Sequence, residues 1–131
     1  MHIWQDKSSG NWWFVTEDKI QVGYWANEIM YAMGNGAGIL RYGGFAIGTA
    51  EGPSPPMGNG HFAGHEYREI AYFARIKYVD DSRTPKDIFG DMGEALADAT
   101  ECYTIQYWGN QGSYMGQTFT YGGPGGNDCG D

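Results

Sequence analysis

Basic residues are scarce in this sequence, which has 8 Lys and Arg against 16 Asp and Glu, a formal charge of −8. A surface of that charge repels the phosphates of nucleic acids and of anionic lipids. Long apolar runs are absent as well, since none approaches the roughly 18–20 residues of a membrane span. A signal-peptide pattern, a basic stretch followed by an apolar one, does not occur. We therefore expect neither nucleic acid nor a membrane as partner.

Cysteine is almost absent, with only Cys102 and Cys129 in 131 residues. The two do not form a Cys-x-x-Cys pair, so neither a redox motif nor a zinc ribbon is indicated. They could be two buried thiols or one disulfide. A disulfide across this separation would stabilise the fold by about 3–4 kcal/mol in the chain-entropy model.

Glycine and aromatic residues are abundant, with 22 glycines, 16% aromatics and only 18% charged residues. Glycine-rich turns between short aromatic runs are typical of sheet proteins, and the aromatic content excludes a solvated coil. We predict one all-β domain over residues 1–131. The predicted elements are a strand meander over 2–5, 11–16 and 20–25, a short helix within 26–33, a long strand over 69–79, a helical turn at 94–97, and a closing hairpin of 102–108 with 117–121. In the strand over 69–79, one apolar face would carry Ile70, Tyr72, Ala74, Ile76 and Tyr78.

A glycine pair interrupts one further predicted strand, residues 40–48. Gly43 and Gly44 carry no Cβ, so another segment can approach the backbone closely there. The backbone at such a place can form the bottom of a groove. The next side chain, Phe45, would point into that groove, where it can pack or stack but cannot transfer a proton.

Several segments together resemble the C-terminal half of the neprosin domain, a glutamic prolyl-endopeptidase family abundant in plants. Each segment alone is a weak signal, but their order along the chain is specific. They are Gly10-Asn11-Trp12-Trp13, Val22-Gly23-Tyr24-Trp25, Tyr42-Gly43-Gly44, Met57-Gly58-Asn59-Gly60-His61-Phe62, Ala71-Tyr72-Phe73, Val79-Asp80, Cys102-Tyr103 and Tyr121-Gly122-Gly123-Pro124-Gly125-Gly126.

The resemblance implies an antiparallel β-sandwich of bent sheets, secretion, and a disulfide between Cys102 and Cys129. It also implies a mechanism with two glutamates, one acting on a water and one supporting the oxyanion or leaving group. One glutamate belongs to the N-terminal half of the domain, which we expect this sequence to lack. The other directly follows the glycine pair, where this sequence has Phe45. Catalysis by the family mechanism is therefore not expected.

Other candidate sites give weaker signals. Glu51 could replace the lost carboxylate, but Gly52-Pro53 favours a loop there. His61 and His65 have the spacing of helical zinc ligands, but glycines flank them and a strand follows. In a strand, residues four apart are more than about 12 Å distant. We expect no metal, no cofactor and no serine or cysteine nucleophile.

The remaining candidate is an aromatic groove formed by Tyr42, Phe45, Trp25 and Tyr121, which would stack on prolines or sugars. We predict a secreted, non-catalytic module, a pseudoenzyme, that binds a proline-rich peptide or a glycan or forms a homo-oligomer. One alternative is a structural protein that polymerises through open strand edges. The other is an acid peptidase that uses a carboxylate outside the family position, with Glu51 as the weak candidate.

Overall fold

The computed structural model describes residues 1–48, 52–82, 84–88, 94–127 and 129. Over these residues the protein is mainly antiparallel β-structure with a single four-residue α-helix and a disulfide, so the predicted class is confirmed. No helix in these ranges is long and apolar enough to cross a membrane. The chain divides into two compact units, Met1–Arg41 and Tyr42–Asp131. The elements are β1 (His2–Gln5), β2 (Trp12–Val15), β3 (Gln21–Trp25), a 3-10 turn (Tyr31–Met33), β4 (Ala71–Phe73), β5 (Lys77–Val79), β6 (Pro85–Asp87), β7 (Thr104–Asn110), α1 (Gly112–Met115) and β8 (Gln117–Gly122).

The first unit is the predicted meander, a three-stranded sheet in the order β1-β2-β3. Its register aligns Trp4 with Trp13 and Trp13 with Tyr24, an aromatic row across three strands. The Trp13 and Tyr24 rings are 4.9 Å apart, within the range in which such pairs stabilise a sheet. The short helix predicted within 26–33 is present only as a 3-10 turn over Tyr31–Met33, preceded by a hydrogen-bonded turn in which the Met30 N–H donates to the Ala26 carbonyl at 3.2 Å.

Side-chain hydrogen bonds tie that turn to the meander. The Gln5 amide donates to the carbonyls of Met33 and Gly34, at 3.3 and 2.9 Å. The Trp12 indole N–H also donates to the Met33 carbonyl, at 3.4 Å. These bonds supply partners to carbonyls at the end of the 3-10 turn, where the next turn adds one more, from the Gly36 N–H to the Met33 carbonyl at 3.0 Å.

The second unit contains a sheet in the order β4-β8-β7 and a separate β5–β6 hairpin. The predicted closing hairpin is confirmed as β7 and β8, with α1 in the connection between them. Strand β8 is the most buried element, with Phe119 at 5% exposure and Thr118 and Thr120 at 0%. Buried hydroxyls in a sheet centre require hydrogen-bond partners, and both threonines have them.

The prediction of one strand over 69–79 is wrong, because the chain leaves the sheet after Phe73. Arg75 has a positive φ of 56°, and its N–H donates to the Met115 carbonyl at 2.7 Å. The Ile76 N–H then donates to the Gln117 carbonyl, and the Ile76 side chain is buried at 4% exposure. The chain resumes as β5, paired with β6 instead of β8.

Two other predicted elements are also wrong. Residues 94–97 form no helical turn, and residues 40–48 belong to no strand. The core of the second unit instead gathers irregular segments around Ala99, Cys102 and Tyr103, with Ala46, Met57 and Cys129 packed against them. The disulfide between Cys102 and Cys129, with Cα atoms 5.6 Å apart, lies in this cluster. That pairing, which the resemblance implied, is confirmed.

Candidate functional site

The segment that follows the glycine pair lies on the surface of the second unit with alternating burial. Phe45 and Ile47 are 87% and 72% exposed, whereas Ala46 packs against the disulfide cluster and Gly48 is half-buried. Such alternation is typical of extended chain. Residues 42–48 nevertheless make no backbone hydrogen bond to any residue in the described ranges. The segment thus presents two apolar side chains beside backbone groups that have no backbone hydrogen-bond partner among the described residues.

Gly44 is the residue that allows this segment to lie so close to the sheet. A Cβ on Gly44 would be 2.4 Å from the Met57 sulfur and 2.8 Å from Cε2 of Tyr121, well inside van der Waals contact. Gly43 has open space around it. Only the second glycine of the pair is therefore required for the close approach. There the backbone of Gly44 contacts the side chains of Met57 and Tyr121.

An aromatic cluster lies on the same sheet. Phe73 stacks on its cross-strand partner Phe119 with ring centroids 5.0 Å apart, and Tyr121 is 5.4 Å from Phe73. Tyr42 meets the edge of Phe73 at 6.3 Å, and its hydroxyl donates to the Lys77 carbonyl at 2.7 Å. Burial raises the pKa of Tyr42, so the phenol remains a neutral donor.

The structure thus brings Tyr42, Tyr121 and the backbone before Phe45 to one surface. Trp25 belongs to the first unit, where it ends β3 opposite Trp12 and is 42% exposed. The predicted groove of Tyr42, Phe45, Trp25 and Tyr121 therefore stays a prediction.

Sequence reasoning missed Phe73 and Phe119. The assumed alternation over 69–79 placed Tyr72 on the apolar face, yet Tyr72 is 45% exposed and Phe73 contacts the cluster. The signal that could have found them is the aromatic pair itself, since aromatic residues often face one another across antiparallel strands.

The comparison with protein families decides the membership of the chain. The family model described as Neprosin matches residues 1–124. The chain belongs to the neprosin family. No solved structure matches it.

The neprosin-type Gly-Gly-Pro-Gly-Gly segment closes the second unit through its backbone. Two antiparallel β-bridges hold it in place. The Met57 N–H donates to the Gly123 carbonyl at 2.9 Å, and the Ser54 N–H donates to the Gly126 carbonyl at 2.8 Å. Gly123 has φ of 157°, and a Cβ there would be only 2.0 Å from the Cys102 carbonyl oxygen. This chain therefore needs glycine at position 123, because the backbones of Gly123 and Cys102 touch beside the disulfide.

The residue directly after the glycine pair is Phe45, at the position where the resemblance implied a glutamate. Glu51 lies outside the described residues. Asp80 is committed elsewhere: hydrogen bonds, first from Lys86 and then from Ser82, lower its pKa to about 2. It is an ionised, partly exposed turn carboxylate and not a general acid.

His61 and His65 lie in a loop that is hydrogen-bonded to the β7–β8 hairpin. The His65 ring packs on Trp108 with centroids 3.5 Å apart. The amides of Ala63 and Gly64 donate to the hydroxyls of Thr104 and Thr120, at 2.7 and 3.2 Å. Within the described ranges no group of three or more His, Cys, Asp or Glu is placed to hold a metal ion.

Proposed function

We propose that this neprosin-family chain is a non-catalytic, secreted module that binds a proline-rich peptide on the surface formed by Tyr42, Phe45, Ile47 and Tyr121. The observation that carries the proposal is Phe45 itself. By the neprosin resemblance it stands where the peptidases have a glutamate, and its ring is 87% exposed. A phenyl ring cannot activate water, but it can pack against a ligand.

The chemistry of the surface favours an extended, proline-rich occupant. Proline-rich segments are preformed extended helices that dock against aromatic side chains. Their carbonyls stay free to accept hydrogen bonds, whereas their prolines have no N–H to satisfy. The backbone N–H groups of residues 45–47, which have no backbone acceptor among the described residues, lie beside Phe45 and Ile47 and suit that pattern of acceptors and apolar rings.

Secretion is part of the proposal and rests on two observations. The neprosin family and the Cys102–Cys129 disulfide are both compatible with an extracellular location. The disulfide closes a separation of 27 residues, so an oxidising compartment would stabilise the fold.

The test is a calorimetric titration with a proline-rich peptide and with a matched peptide in which alanine replaces each proline. Phe45→Ala should weaken binding of the proline peptide by about ten-fold or more, as for an aromatic hot spot. Tyr114→Ala is the matched control, because Tyr114 is equally exposed, at 85%, in another part of the same unit.

Three results would contradict the proposal. Equal affinity for both peptides would remove the proline specificity, and an unchanged Phe45→Ala variant would remove the site. The third is cleavage of the proline-rich peptide, which mass spectra after incubation at pH 2–7 would detect. Cleavage that disappears in Glu51→Gln would establish the peptidase alternative. A glycan array on the same protein tests a sugar ligand for this surface.

Self-assembly is the second candidate, and the first unit favours it. Each outer strand of its sheet, β1 and β3, pairs on one side only within that sheet. These strands expose Ile3 at 54%, Val22 at 58% and Tyr24 at 55%. Open apolar strand edges promote pairing with another copy.

Light scattering over a concentration series tests this second candidate. A homo-oligomer that Val22→Lys converts to a monomer would support it, since an edge lysine opposes strand pairing. A size that grows without limit, with fibres in negative stain, would establish the structural polymer. A monomer at every concentration would refute both.

A further inference from the structure

The tetrapeptide Met-Gly-Asn-Gly occurs twice in the sequence, with its asparagine at Asn35 in the first unit and at Asn59 in the second. An Asn-Gly bond is open to attack on the asparagine side chain, because no Cβ on the glycine shields its backbone nitrogen. We propose that Asn35 is a site of spontaneous deamidation in the folded protein, whereas hydrogen bonds protect Asn59. This modification site is independent of the proposed peptide surface.

The reaction consumes only water. The Gly36 nitrogen loses its proton and bonds to Cγ of Asn35, and the Cγ–Nδ2 bond breaks to release ammonia. The product is a five-membered succinimide ring. Water then opens the ring at one of its two carbonyl carbons. Addition at Cγ gives aspartate, and addition at the main-chain carbonyl carbon gives isoaspartate. One water is taken up for each ammonia released, and no group is oxidised or reduced.

The attacking nitrogen is restrained in the same way at both sites. Gly36 and Gly60 have positive φ, 98° and 84°. The Gly36 N–H donates to the Met33 carbonyl at 3.0 Å, and the Gly60 N–H donates to the Met57 carbonyl at 3.1 Å. Asn35 and Asn59 are both exposed to water. Neither the local sequence nor the nitrogen therefore favours one site over the other.

The two side-chain amides have different partners. The NH₂ of Asn59 donates to the Glu69 carbonyl, and its oxygen accepts from the His61 N–H at 3.5 Å. Both ends of that amide are held, so Cγ has to leave these partners before the ring can close. The Asn35 side chain makes no hydrogen bond to any residue in the described ranges. Its amide can therefore turn toward Gly36 without breaking a bond.

The space beside the two glycines also differs. Around Gly36, no described atom beyond its chain neighbours lies within 4 Å of the position that a Cβ would take. At Gly60 the same position is 3.6 Å from Cβ of Pro56. The open side of Gly36 leaves room for the succinimide ring and for the water that hydrolyses it.

Isoaspartate at position 35 would alter a bond that joins this turn to the meander. Its main chain passes through Cβ and Cγ, so the backbone before Gly36 is one atom longer. The Gly36 N–H shares the Met33 carbonyl with the Gln5 amide and the Trp12 indole. Amide exchange at Gly36 should therefore be faster in the isoaspartate form. Asn35→Asp is the matched control, since it has the same charge but a normal backbone.

The experiment follows both asparagines in one sample. The folded chain is incubated at mildly alkaline pH in ¹⁸O-labelled water, and peptide mass mapping measures the label in each new carboxyl group. Deamidation at Asn35 should be about ten-fold faster or more than at Asn59, because the bonds that hold Asn59 oppose ring closure. In urea that unfolds the chain, the two rates should become similar, since the tetrapeptides are identical.

Variants locate the reaction. Asn35→Gln should abolish the fast uptake of label, because glutamine would have to close a less favourable six-membered ring. Asn59→Gln should leave the fast uptake unchanged.

Four outcomes would overturn the inference. Equal rates in the folded protein would remove the protection of Asn59. Deamidation of Asn35 only in urea would show that the fold protects this site too. A rate ratio that persists in urea would exclude the hydrogen bonds as its cause. Fast uptake that survives Asn35→Gln would place the modification at another residue.

Discussion

The hydroxyl of Thr120 connects the loop that contains His61 and His65 to the sheet, and Thr120→Val should release that loop. The side chain is 0% exposed, and its oxygen accepts from the Gly64 N–H at 3.2 Å and from the Trp108 indole N–H at 3.0 Å. Valine keeps the shape of threonine but cannot accept a hydrogen bond. The substitution therefore leaves two donors without their acceptor and creates no cavity.

The magnitude follows from those two donors. A buried donor that loses its partner costs about 1–3 kcal/mol. Both donors are only part-buried, so each is assigned the lower end and the total is about 2–3 kcal/mol. That loss should appear as a lower midpoint of urea unfolding with an unchanged slope, because the area exposed on unfolding does not change.

Two neighbouring threonines provide matched controls. Thr118 is equally buried, but its hydroxyl donates to the carbonyls of Met115 and Gly116. Thr118→Val should cost less than Thr120→Val, since a carbonyl that loses one of two possible donors is less penalised than an N–H that loses its only acceptor. Thr104→Val should instead remove the acceptor of the Ala63 N–H and leave that of the Gly64 N–H in place.

Amide hydrogen exchange then separates the bonds one by one. Thr120→Val should accelerate exchange at Gly64 and leave Ala63 protected, and Thr104→Val should do the reverse. A Thr120→Val protein within about 0.5 kcal/mol of the parent would refute the reasoning, because that is the range of substitutions without a specific mechanism. Unchanged exchange at Gly64 would refute it equally.

Three further predictions concern the glycine segment, the disulfide and one carboxylate. Gly123→Ala should destabilise the fold by about 3 kcal/mol in urea unfolding, because its Cβ would meet the Cys102 carbonyl, whereas Gly43→Ala, in open space, should be near neutral. Replacing Cys102 and Cys129 by serine should cost about 3–4 kcal/mol in the same assay, and no loss would contradict the entropic argument. The pKa of Asp80 is lowered in the folded state from 3.8 to about 2, so its contribution is complete above about pH 4 and is lost as the pH falls through 2. Asp80→Asn should therefore flatten the acid limb of the stability profile, and an unchanged limb would contradict this.

The candidate site shows where local pattern fails. The glycine pair correctly marked a close approach, which the structure places at Gly44 against Met57 and Tyr121. The strand predicted over 40–48 does not form, because a β-strand requires a neighbouring segment whose backbone pairs with it through hydrogen bonds. The face of the 69–79 segment was assigned to Tyr72, and the tertiary cluster uses Phe73 instead. A one-residue error in register moves every side chain to the opposite face.

The sequence by itself determined the family, the all-β class, the meander and the closing hairpin. Those features rest on short-range signals: turn glycines, aromatic alternation, and segments in a specific order. Only the tertiary structure decided that the strand breaks at Arg75 and that a cavity opens between the β5–β6 and β7–β8 hairpins. It also decided that residues 42–48 lie on the surface with no backbone hydrogen bond to another described residue. These outcomes depend on which distant carbonyl captures each N–H, as when Met115 captures that of Arg75. That competition involves residues far apart in the chain, and no local pattern records it.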